Sequence, residues 1–581
     1  MNPVEYVIVR SPKELARYIP AVKRAKVLAV DTETTGLNPH ADRVRLIQLA
    51  AERLPVIVLD CFSFLPEGID MLTDILEDSN VKIFQNAKFD LQFFMALGIH
   101  PSPIFDTMLA GQLLRTSGGP LRANLAALAK HYLGEDIEKG EQKSDWRGEL
   151  REEQVEYAAN DADVLPRLRE VMVKDIYANG LQTIARIEFS CAQAVAQMEY
   201  TGICLDTERW RELIKIVEKE RDEALNVLYT YAGQPMIQMS LTGEAKVLNH
   251  NFDSNPYVVG LLRQNGIEVD ATSKRVLSAR AEHPLIKALT AYRKATKALS
   301  SFLYPIPQMI SPETGRLHPR YGQIGAWSGR MSCGGPNIQQ IPRDAHFRAC
   351  FIAPPGKKLI IADYSQIELR VAAQISGDSR MIEAYRLGED LHTLTAALIS
   401  DVPAAAVTRE RRQAAKAVNF GLIFGMGAAG LQQYAQQSYG VDMTLEQATQ
   451  FRDSFFRAYP GIARWHRRIR NEKPTEERSL TGRRFSFGKN SGVSGLYNTP
   501  VQGTAADIMK AALGRITRRT PGTSVRIIAA VHDEILLEAD ESESEKAAHM
   551  LKTAMEQAGN EILPDVPCVA EEKIASTWAE K

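Results

Sequence analysis

The order of apolar and polar residues divides the chain into stretches with different secondary structure. In the first stretch, residues 1–178, short apolar runs alternate with helical segments. The runs that predict strands are EYVIV (5–9), VLAVDTE (27–33) and LPVIVLD (54–60), and the first two are as apolar as strands of a buried sheet. The helical segments are residues 122–133 and 152–172. This pattern predicts an α/β domain.

The rest of the chain is mostly helical, with two strand regions. Residues from about 180 to 300 have amphipathic helical periodicity, except in the segment 233–275, whose Gly, Pro and Asn residues predict an irregular excursion. KKLIIADYSQIELRVAAQ (357–374) predicts a strand that runs into a helix. RIIAAVHDEILLEA (526–539) predicts a hairpin with a polar turn. Helices between these strand regions make an α+β arrangement the expectation for the C-terminal part.

Composition narrows the class of protein without naming a function. A length of 581 residues predicts about three or four domains. The net charge of −1 shows no overall basic field, although a local groove could still bind nucleic acid. The six cysteines form no CxxC pair, so neither a zinc site nor disulfide bonds are expected. Without a signal peptide or an apolar run of membrane-spanning length, the protein is expected to be soluble and intracellular.

Acidic residues in the first stretch point to a metal site. Asp31 and Glu33 end a predicted strand on the same side, because strand side chains alternate with a period of two. Their mutual repulsion is naturally resolved by a divalent metal. Asp90 and Asp161 are two further candidates, and Tyr157 shares a helix face with Asp161. The alternative is that each acid alone is only solvated at the end of its strand or helix.

A second pair of acids lies near the end of the chain. Asp363 ends the strand of the 357–374 region, and Asp533 lies in the predicted hairpin turn. Neighbouring strands would bring both carboxylates to one pair of metals that holds a nucleoside triphosphate and an attacking 3′ hydroxyl. Alone, the sequence VHDE is equally consistent with a polar turn that has no chemistry.

The predicted helix 405–424 favours the chemical interpretation. Arg412, Lys416, Phe420 and Phe424 follow one another at intervals of four, which places them on one helix face. Two cations followed by two rings suit a triphosphate tail followed by a sugar and base. An exposed basic turn followed by core aromatic residues is the alternative.

A glycine-rich segment, GMGAAG (425–430), fits the dinucleotide-binding pattern G-x-G-x-x-G. It follows a predicted helix instead of a strand, and no βαβ unit surrounds it. We therefore interpret it as the exit of a helix.

The first acidic set resembles the DEDD class of 3′–5′ exonucleases, in the subtype whose last motif is Tyr-x-x-x-Asp. The resemblance implies two metals that activate a water molecule and stabilise the leaving 3′ oxygen. It also implies that Tyr157 orients the attacking water.

Five ordered motifs resemble the family A DNA polymerases, the enzymes related to the large fragment of bacterial DNA polymerase I. They are SGRMSCGGPNIQQIP (328–342), DYSQIELR (363–370), R-x3-K-x3-F-x3-FG (412–425), NTPVQGTAAD (498–507) and VHDE (531–534). Together with the exonuclease motifs, the resemblance covers essentially the whole chain.

The resemblance implies an RNase H-like exonuclease domain followed by a right-hand polymerase. The expected boundaries are 1–178 for the exonuclease and 179–581 for the polymerase, with a thumb at about 180–308, a palm at about 309–376 and 480–581, and fingers at about 377–479. No 5′-nuclease domain is expected before residue 1.

Site residues follow from the motif positions. The resemblance implies that Asp363, Asp533 and the Tyr364 carbonyl bind the catalytic metals and that Glu534 is a carboxylate of lesser role. For the nucleotide it implies Arg412, Lys416 and His392 on the phosphates, with Phe420, Phe424, Gln366 and Glu368 around the sugar and base. Lys416 would also donate a proton to the departing pyrophosphate. Glu368 would act as a steric gate against a ribose 2′ hydroxyl.

DNA contacts are implied at three places. The primer–template minor groove would be lined by Arg330, Asn337, Gln339, Asn498, Gln502 and His532, which test pair shape through acceptors common to all base pairs. Lys294 and Lys297 lie in the expected thumb. Further basic residues for phosphate contacts are Arg464, Arg467, Arg468, Arg470, Arg483 and Arg484.

Two positions depart from the family pattern. Phe424 stands where Tyr is usual, and Ser494 stands where Arg is frequent. Neither position supplies a metal ligand, so we expect activity to be retained. Fidelity or binding of the template strand is expected to differ.

The resulting prediction is template-directed synthesis from deoxynucleoside triphosphates by a nucleotidyltransferase with 3′–5′ proofreading. Each site is expected to take two Mg²⁺ ions, for which Mn²⁺ can substitute. The expected form is a monomer that binds primer–template DNA, works with processivity or replication proteins and does not bind membranes. A bacterial or phage-infected cytoplasm is the expected location, and an organelle stays open. The alternatives are an exonuclease with a non-catalytic DNA-binding body and an RNA polymerase, the latter disfavoured by Glu368.

Overall fold

The N-terminal part is a six-stranded sheet covered by helices. The computed structural model describes residues 4–115, 123–137, 140–141, 144–233, 236–239, 245–248, 250–278, 280–488 and 491–581. The strands are β1 (Tyr6–Val9), β2 (Val27–Thr34), β3 (Val44–Ala50), β4 (Val56–Asp60), β5 (Val81–Phe84) and β6 (Ile104–Asp106). The helices are α1 (Pro12–Leu15), α2 (Ile19–Arg24), α3 (Cys61–Phe64), α4 (Ile69–Leu76), α5 (Lys88–Ala96), α6 (Thr107–Leu114), α7 (Leu125–Leu133) and α8 (Glu152–Ala178).

This sheet mixes parallel and antiparallel pairs in the order β1-β4-β3-β2-β5-β6. β3 is antiparallel to both of its neighbours, whereas β1 pairs in parallel with β4, β2 with β5, and β5 with β6. A separate apolar core lies on each face of the sheet. All three predicted strands are present, and the α/β prediction for this part is confirmed.

The middle of the chain is built from long helices. Its elements are α9 (Gln182–Thr201), β7 (Cys204–Leu205), α10 (Thr207–Ala232), β8 (Met236–Met239), β9 (Ala245–Leu248), α11 (Asn255–Gln264), α12 (Lys274–Ser278) and α13 (Pro284–Ala298), followed by a π-helical turn (Leu299–Leu303). The prediction of an irregular excursion at 233–275 is wrong for much of that range, since a β8–β9 hairpin and α11 lie there. Residues 234–235, 240–244 and 249 lie outside the described ranges.

The C-terminal part contains a four-stranded antiparallel sheet in the order β16-β17-β13-β18. Strands of this part are β10 (Arg320–Gly322), β11 (Ser332–Gly334), β12 (Phe351–Ile352), β13 (Lys357–Tyr364), β14 (Glu476–Arg478), β15 (Arg484–Ser486), β16 (Arg526–Val531), β17 (Glu534–Asp540) and β18 (Ala570–Ala575). Its helices are α14 (Ala345–Arg348), α15 (Ile367–Ser376), α16 (Ser379–Arg386), α17 (Leu391–Ser400), α18 (Arg409–Ile423), α19 (Ala428–Tyr439), α20 (Leu445–Ala458), α21 (Pro460–Glu472), α22 (Val493–Thr517) and α23 (Ser544–Ile562).

Helix α9 joins the N-terminal and C-terminal cores. Its Ala192 and Ala196 are buried in one core of the N-terminal sheet. On another face of the same helix, Val195 and Met198 are buried in the large C-terminal core. α9 also packs against the long helix α22 and against β16 of the C-terminal sheet.

In the described ranges, no helix combines the length and the apolar composition needed to cross a bilayer.

Candidate active sites

The first acidic set converges on β2. Asp31 and Glu33 lie on this strand, and Asp90 lies in the first turn of α5. The Thr32 hydroxyl donates to the Asp90 carboxylate over 2.6 Å. α8 packs against β2 and carries Asp161. Four carboxyl groups from three separate segments of the chain therefore lie close together.

Burial and mutual repulsion raise the pKa values of these carboxyl groups. Burial, followed by Asp90, Glu33 and Asp161, raises the pKa of Asp31 well above its usual range. Burial also raises the pKa of Glu33 to about 8, of Asp90 to about 7 and of Asp161 to about 6. Holding all four as carboxylates at neutral pH therefore requires a compensating positive charge.

Divalent metals fit the chemistry of this set. One oxygen of Asp161, Oδ1, is buried without a hydrogen-bond partner, as expected for a ligand atom. The Tyr157 hydroxyl hydrogen-bonds to the Asp161 carboxylate, and burial raises the pKa of Tyr157. In the described residues, however, no three His, Cys, Asp or Glu side chains are already spaced as a metal-ligand shell.

The second acidic pair meets where β13 ends and β17 begins, the two middle strands of the C-terminal sheet. Asp363, on β13, lies opposite Glu534 of β17, and the Tyr364 amide donates to the Asp533 carbonyl over 3.2 Å. The predicted adjacency of the two strands is therefore present. Burial, reinforced by the Asp363 carboxylate, raises the pKa of Asp533. Lys581 Nζ lies 2.8 Å from Asp363 Oδ2, which places a cation against this pair.

A cavity of about 310 Å³ opens beside Asp533. It lies between β13, the turn of the β16–β17 hairpin, α18 and α22. Eight of the residues predicted from the motifs line it: Arg330, Gln339, Tyr364, Gln366, Glu368, Phe420, His532 and Asp533. The cavity is large enough for part of a nucleotide, with carboxylate, guanidinium and aromatic groups on its wall.

Glu368 and Arg330 form an ion pair across this cavity. Glu368 lies in the first turn of α15. Burial raises the pKa of Glu368, and the neighbouring guanidinium opposes that rise. Gln366, which precedes α15 with a left-handed φ of 56°, accepts a hydrogen bond from Tyr385 over 3.3 Å.

Arg412 and Lys416 lie on α18, as the pattern predicts, and outside the residues that line the cavity. Both side chains are partly buried. Arg412 Nε lies 2.7 Å from Asp390 Oδ2 in an ion pair that the sequence interpretation missed. Asp390 also caps α17 by accepting from the Thr393 amide. An acidic N-cap three residues before a helical Thr was the available signal.

His392 is buried on α17 and held by a polar network. The Asn419 amide nitrogen lies 2.9 Å from His392 Nδ1, and the Thr395 hydroxyl donates to Asn419 Oδ1 over 3.0 Å. Burial lowers the pKa of His392 to about 4, so the ring is neutral at pH 7. With Nδ1 accepting, the proton resides on Nε2, which is then a hydrogen-bond donor. Sequence reasoning missed Asn419, whose side chain is fully buried. The available signal was an Asn inside a predicted helix, where most other residues have a higher helix propensity.

The aromatic part of the α18 stripe lies beside this network. Phe420 reaches the cavity, and its ring centroid is 5.8 Å from that of His392. Phe424 is partly buried against the apolar core where α18 ends.

The residues predicted to contact DNA differ in exposure. Asn498 and Gln502 share a face of α22, and Gln339 donates to the Ala530 carbonyl over 3.2 Å. The His532 ring hydrogen-bonds to the Gln339 backbone, and the Asn337 side-chain oxygen is buried without a partner. Exposed positions are Lys294, Lys297, Arg464, Arg467, Arg468, Arg470 and Ser494.

Arg483 contradicts its predicted phosphate contact. Its side chain is 4% exposed and lies between Glu188 and Asp507, so it cannot reach DNA in this structure. Arg484 is partly buried beside Glu476. Glu534 is also buried, where Trp578 Nε1 donates to it over 2.5 Å. A basic motif does not distinguish a surface contact from a buried ion pair.

The glycine-rich segment 425–430 directly follows α18 and leads into α19. The element immediately before it in the described chain is thus a helix and not a strand, so the dinucleotide-binding alternative is excluded there.

Comparison with known proteins identifies two matched regions. Residues 6–177 match the family described as 3′-5′ exonuclease, and residues 207–580 match DNA polymerase family A. A relative named DNA polymerase I from Aquifex aeolicus is 33% identical, over 99% of this chain and 100% of its own length. Another DNA polymerase I, from Chloroflexus aurantiacus, is 31% identical over 100% of this chain and 64% of its own length.

A solved structure has the same fold. The polymerase domain of Pol1 from M. smegmatis, in complex with DNA primer-template and dNTP, superimposes with a TM-score of 0.81. The match covers 98% of this chain and 99% of that one at 24% sequence identity. The chain therefore belongs to the family A DNA polymerases: it is a template-directed DNA polymerase with a 3′–5′ proofreading exonuclease domain.

Proposed function

We propose that the two acidic sites carry out opposite phosphoryl transfers on one DNA strand, synthesis at Asp363 and Asp533 and removal at Asp31, Glu33, Asp90 and Asp161. The observation that carries the proposal is the placement of Tyr364, Asp533, Glu368 and Phe420 around one cavity, with Asp363 next to Tyr364 on β13. Two Mg²⁺ ions at each site, replaceable by Mn²⁺, would polarise the reacting phosphate and stabilise charge on the entering and leaving oxygens.

At the synthesis site, the chain's own residues bind and orient the nucleotide. Arg412, Lys416 and the Nε2–H group of neutral His392 bind the triphosphate. Phe420 stacks beside the sugar and base, with Gln366 and Phe424 completing that part of the pocket. Lys416, an ammonium on the same helix face, donates a proton to the departing pyrophosphate.

Two groups set which nucleotide and which primer end are accepted. Glu368 excludes the ribose 2′ hydroxyl from the cavity. Arg330 reads the primer terminus from the minor groove, together with Asn337, Gln339, Asn498, Gln502 and His532. Lys294 and Lys297 on α13 bind the duplex backbone.

At the removal site, Tyr157 orients the attacking water through the hydroxyl that contacts Asp161. The 3′ end would reach this site when a mispair prevents a stable fit beside Arg330. DNA primer-template and dNTP are bound by the polymerase domain from M. smegmatis, and we infer the same partners here. Action as a monomer, help from replication proteins and a cytoplasmic location in a bacterium remain predictions, as do the thumb, palm and fingers boundaries.

The test uses two single substitutions in the full chain. Asp533→Asn should abolish primer extension with Mg²⁺ and retain hydrolysis of single-stranded DNA, whereas Asp161→Asn should do the reverse. Unchanged extension by Asp533→Asn would refute the assignment of the synthesis site.

A further inference from the structure

Four charged side chains form a neutral cluster deep inside the protein. The cluster consists of Glu188 on α9, Arg483 before β15, and Asp507 and Lys510 on α22, and each is at most 4% exposed. Arg483 pairs with both carboxylates, and Lys510 Nζ lies 2.6 Å from Glu188 Oε1. We refer to these four residues as the buried quartet.

The quartet is fully hydrogen-bonded to its surroundings. Ser479 and Thr481 donate to Asp507 over 2.8 and 2.5 Å, and Gln323 donates to Glu188 over 2.6 Å. Buried ion pairs add little net stability compared with apolar residues of the same volume, because both charges must be desolvated. A neutral and satisfied cluster of this kind instead fixes the positions of the groups around it.

One of those groups is the turn that carries Arg330. Lys510 Nζ donates to the Gly329 carbonyl over 2.7 Å. Gly329 has a left-handed φ of 81°, and a Cβ built there would lie 2.6 Å from Arg483 Nε. Lys510 and Arg483 therefore hold the residue immediately before Arg330 from two sides.

Arg330 in turn forms the ion pair with Glu368, and Lys510 lines the same cavity as both. A continuous chain of contacts thus runs from α9 through Lys510 and Gly329 to Arg330 and Glu368. None of the four quartet residues is needed for the chemistry proposed above.

We propose that Lys510, held by Glu188, is a positioning residue for the Arg330–Glu368 pair and thereby sets both primer-end alignment and ribonucleotide exclusion. The inference rests on the proposed roles of Arg330 and Glu368. It assigns to the quartet a function in selectivity, which a purely structural ion-pair cluster would not have.

The test is a double variant that keeps the interior neutral, Lys510→Met with Glu188→Gln. It removes one positive and one negative charge, together with the hydrogen bond to Gly329. We expect kcat/KM for a correct deoxynucleotide to fall roughly tenfold, since misplacement by about 1 Å can cost up to ~10²-fold. The preference for deoxynucleotides over ribonucleotides should fall as well, while hydrolysis of single-stranded DNA stays normal.

Thr481→Val is the matched control. It removes a hydrogen bond to Asp507 without touching the Gly329 turn, so it should lower the melting temperature and leave nucleotide preference unchanged. The same double variant is also placed in an Arg330→Ala background. If Lys510 acts through Arg330, its effect on selectivity disappears there.

The outcomes distinguish failure of the proposed role of Arg330 from failure of the positioning role of Lys510. If Arg330→Ala alone leaves extension unchanged, the proposed role of Arg330 fails. If Arg330→Ala impairs extension while the double variant does not, or if the effects multiply independently, the positioning inference fails. Should the double variant unfold and lose exonuclease activity, Glu188→Gln alone is tested in the same cycle. Loss of folding there too would overturn the inference in favour of a role in stability.

Discussion

Asp390 holds the Arg412 guanidinium in a two-point ion pair, with Nε 2.7 Å from Oδ2 and Nη2 3.1 Å from Oδ1. Burial opposes ionisation of Asp390, but hydrogen bonds from Arg412 and Thr393 outweigh it and hold the pKa of this carboxyl well below its usual value. Because Asp390 also caps α17, the pair fixes the orientation of α18 side chains relative to α17.

Asp390→Asn should therefore raise KM for deoxynucleotides roughly fivefold, equivalent to about 1 kcal/mol, with kcat within about twofold. The reason is that Arg412 would lose its fixed orientation and must be ordered by the triphosphate. Steady-state extension on a single primer–template measures both constants. A lower KM would show that Asp390 competes with the triphosphate for Arg412, contrary to this expectation.

Asn419→Leu should weaken nucleotide binding through His392. The substitution removes the donor to His392 Nδ1 and leaves the Thr395 hydroxyl with one partner fewer, at a cost of about 1–3 kcal/mol in stability. Nitrogen-15 spectra of His392 should show Nε2–H as the main tautomer in the unsubstituted protein and a mixture in Asn419→Leu. Asn419→Asp provides the contrast, since a carboxylate favours a proton on Nδ1. Identical spectra in all three proteins would contradict the network.

Glu368→Ala should increase incorporation of ribonucleotides relative to deoxynucleotides by up to about 10²-fold, the range over which a close-fitting pocket discriminates. The carboxylate side chain lies on the cavity wall, and its removal leaves room for a 2′ hydroxyl. Competition between the two nucleotide types on a single template base gives the ratio. Glu368→Gln, which conserves the volume, should remain selective; equal loss in both variants would assign the effect to charge and not to size.

Protonation of His466 should lower the free energy of unfolding at acidic pH. The imidazole is buried, stacks on Tyr497 with centroids 4.0 Å apart and hydrogen-bonds to the Ile423 carbonyl. Burial lowers its pKa to about 4, below the value of about 6.5 for an unfolded chain, so the unfolded state binds the extra proton. The free energy of unfolding should fall as pH drops from 6.5 towards 4, by up to about 3 kcal/mol from this residue.

His466→Gln should reduce the slope of that decrease, even if the variant is less stable at pH 7.5. Urea unfolding at several pH values between 5 and 7.5 measures the slope above the range in which most carboxyls titrate. His392, whose pKa burial also lowers to about 4, contributes in the same direction. The same slope in both proteins would mean that His466 is not the responsible group.

The sequence predicts those parts of the fold whose signal is local. Strands β2 and β13 and the β16–β17 hairpin follow from their apolar runs, and the stripe on α18 follows from its spacing. Strand β3 was missed because Arg45 and Gln48 interrupt its apolar run, although every residue of the strand is buried. Arg45 is compensated by Asp60 of β4, a contact that exists only in the folded sheet.

The residues of the candidate sites also fall into two groups, those indicated by a local motif and those recognised only from contacts in the fold. Motifs predict Asp363, Asp533 and Glu368 as site residues, because their spacing and neighbours are characteristic. Asn419 and Asp390 act through contacts between α17 and α18, which a linear pattern does not contain. Arg483 was misjudged for a related reason, since its partner Glu188 lies 295 residues earlier in the chain. Electrostatic partners brought together by folding are invisible until the helices are placed.

The double packing of α9 has a practical consequence for dividing the enzyme. A fragment that begins at residue 179 would retain this helix, yet Ala192 and Ala196 would face water where they now meet the N-terminal core. Such a fragment should self-associate at high concentration through the newly bared helix face and lose solubility. A point substitution of a carboxylate in one candidate site removes one activity without exposing this face of α9. It also preserves the packing that positions the residues of the other site.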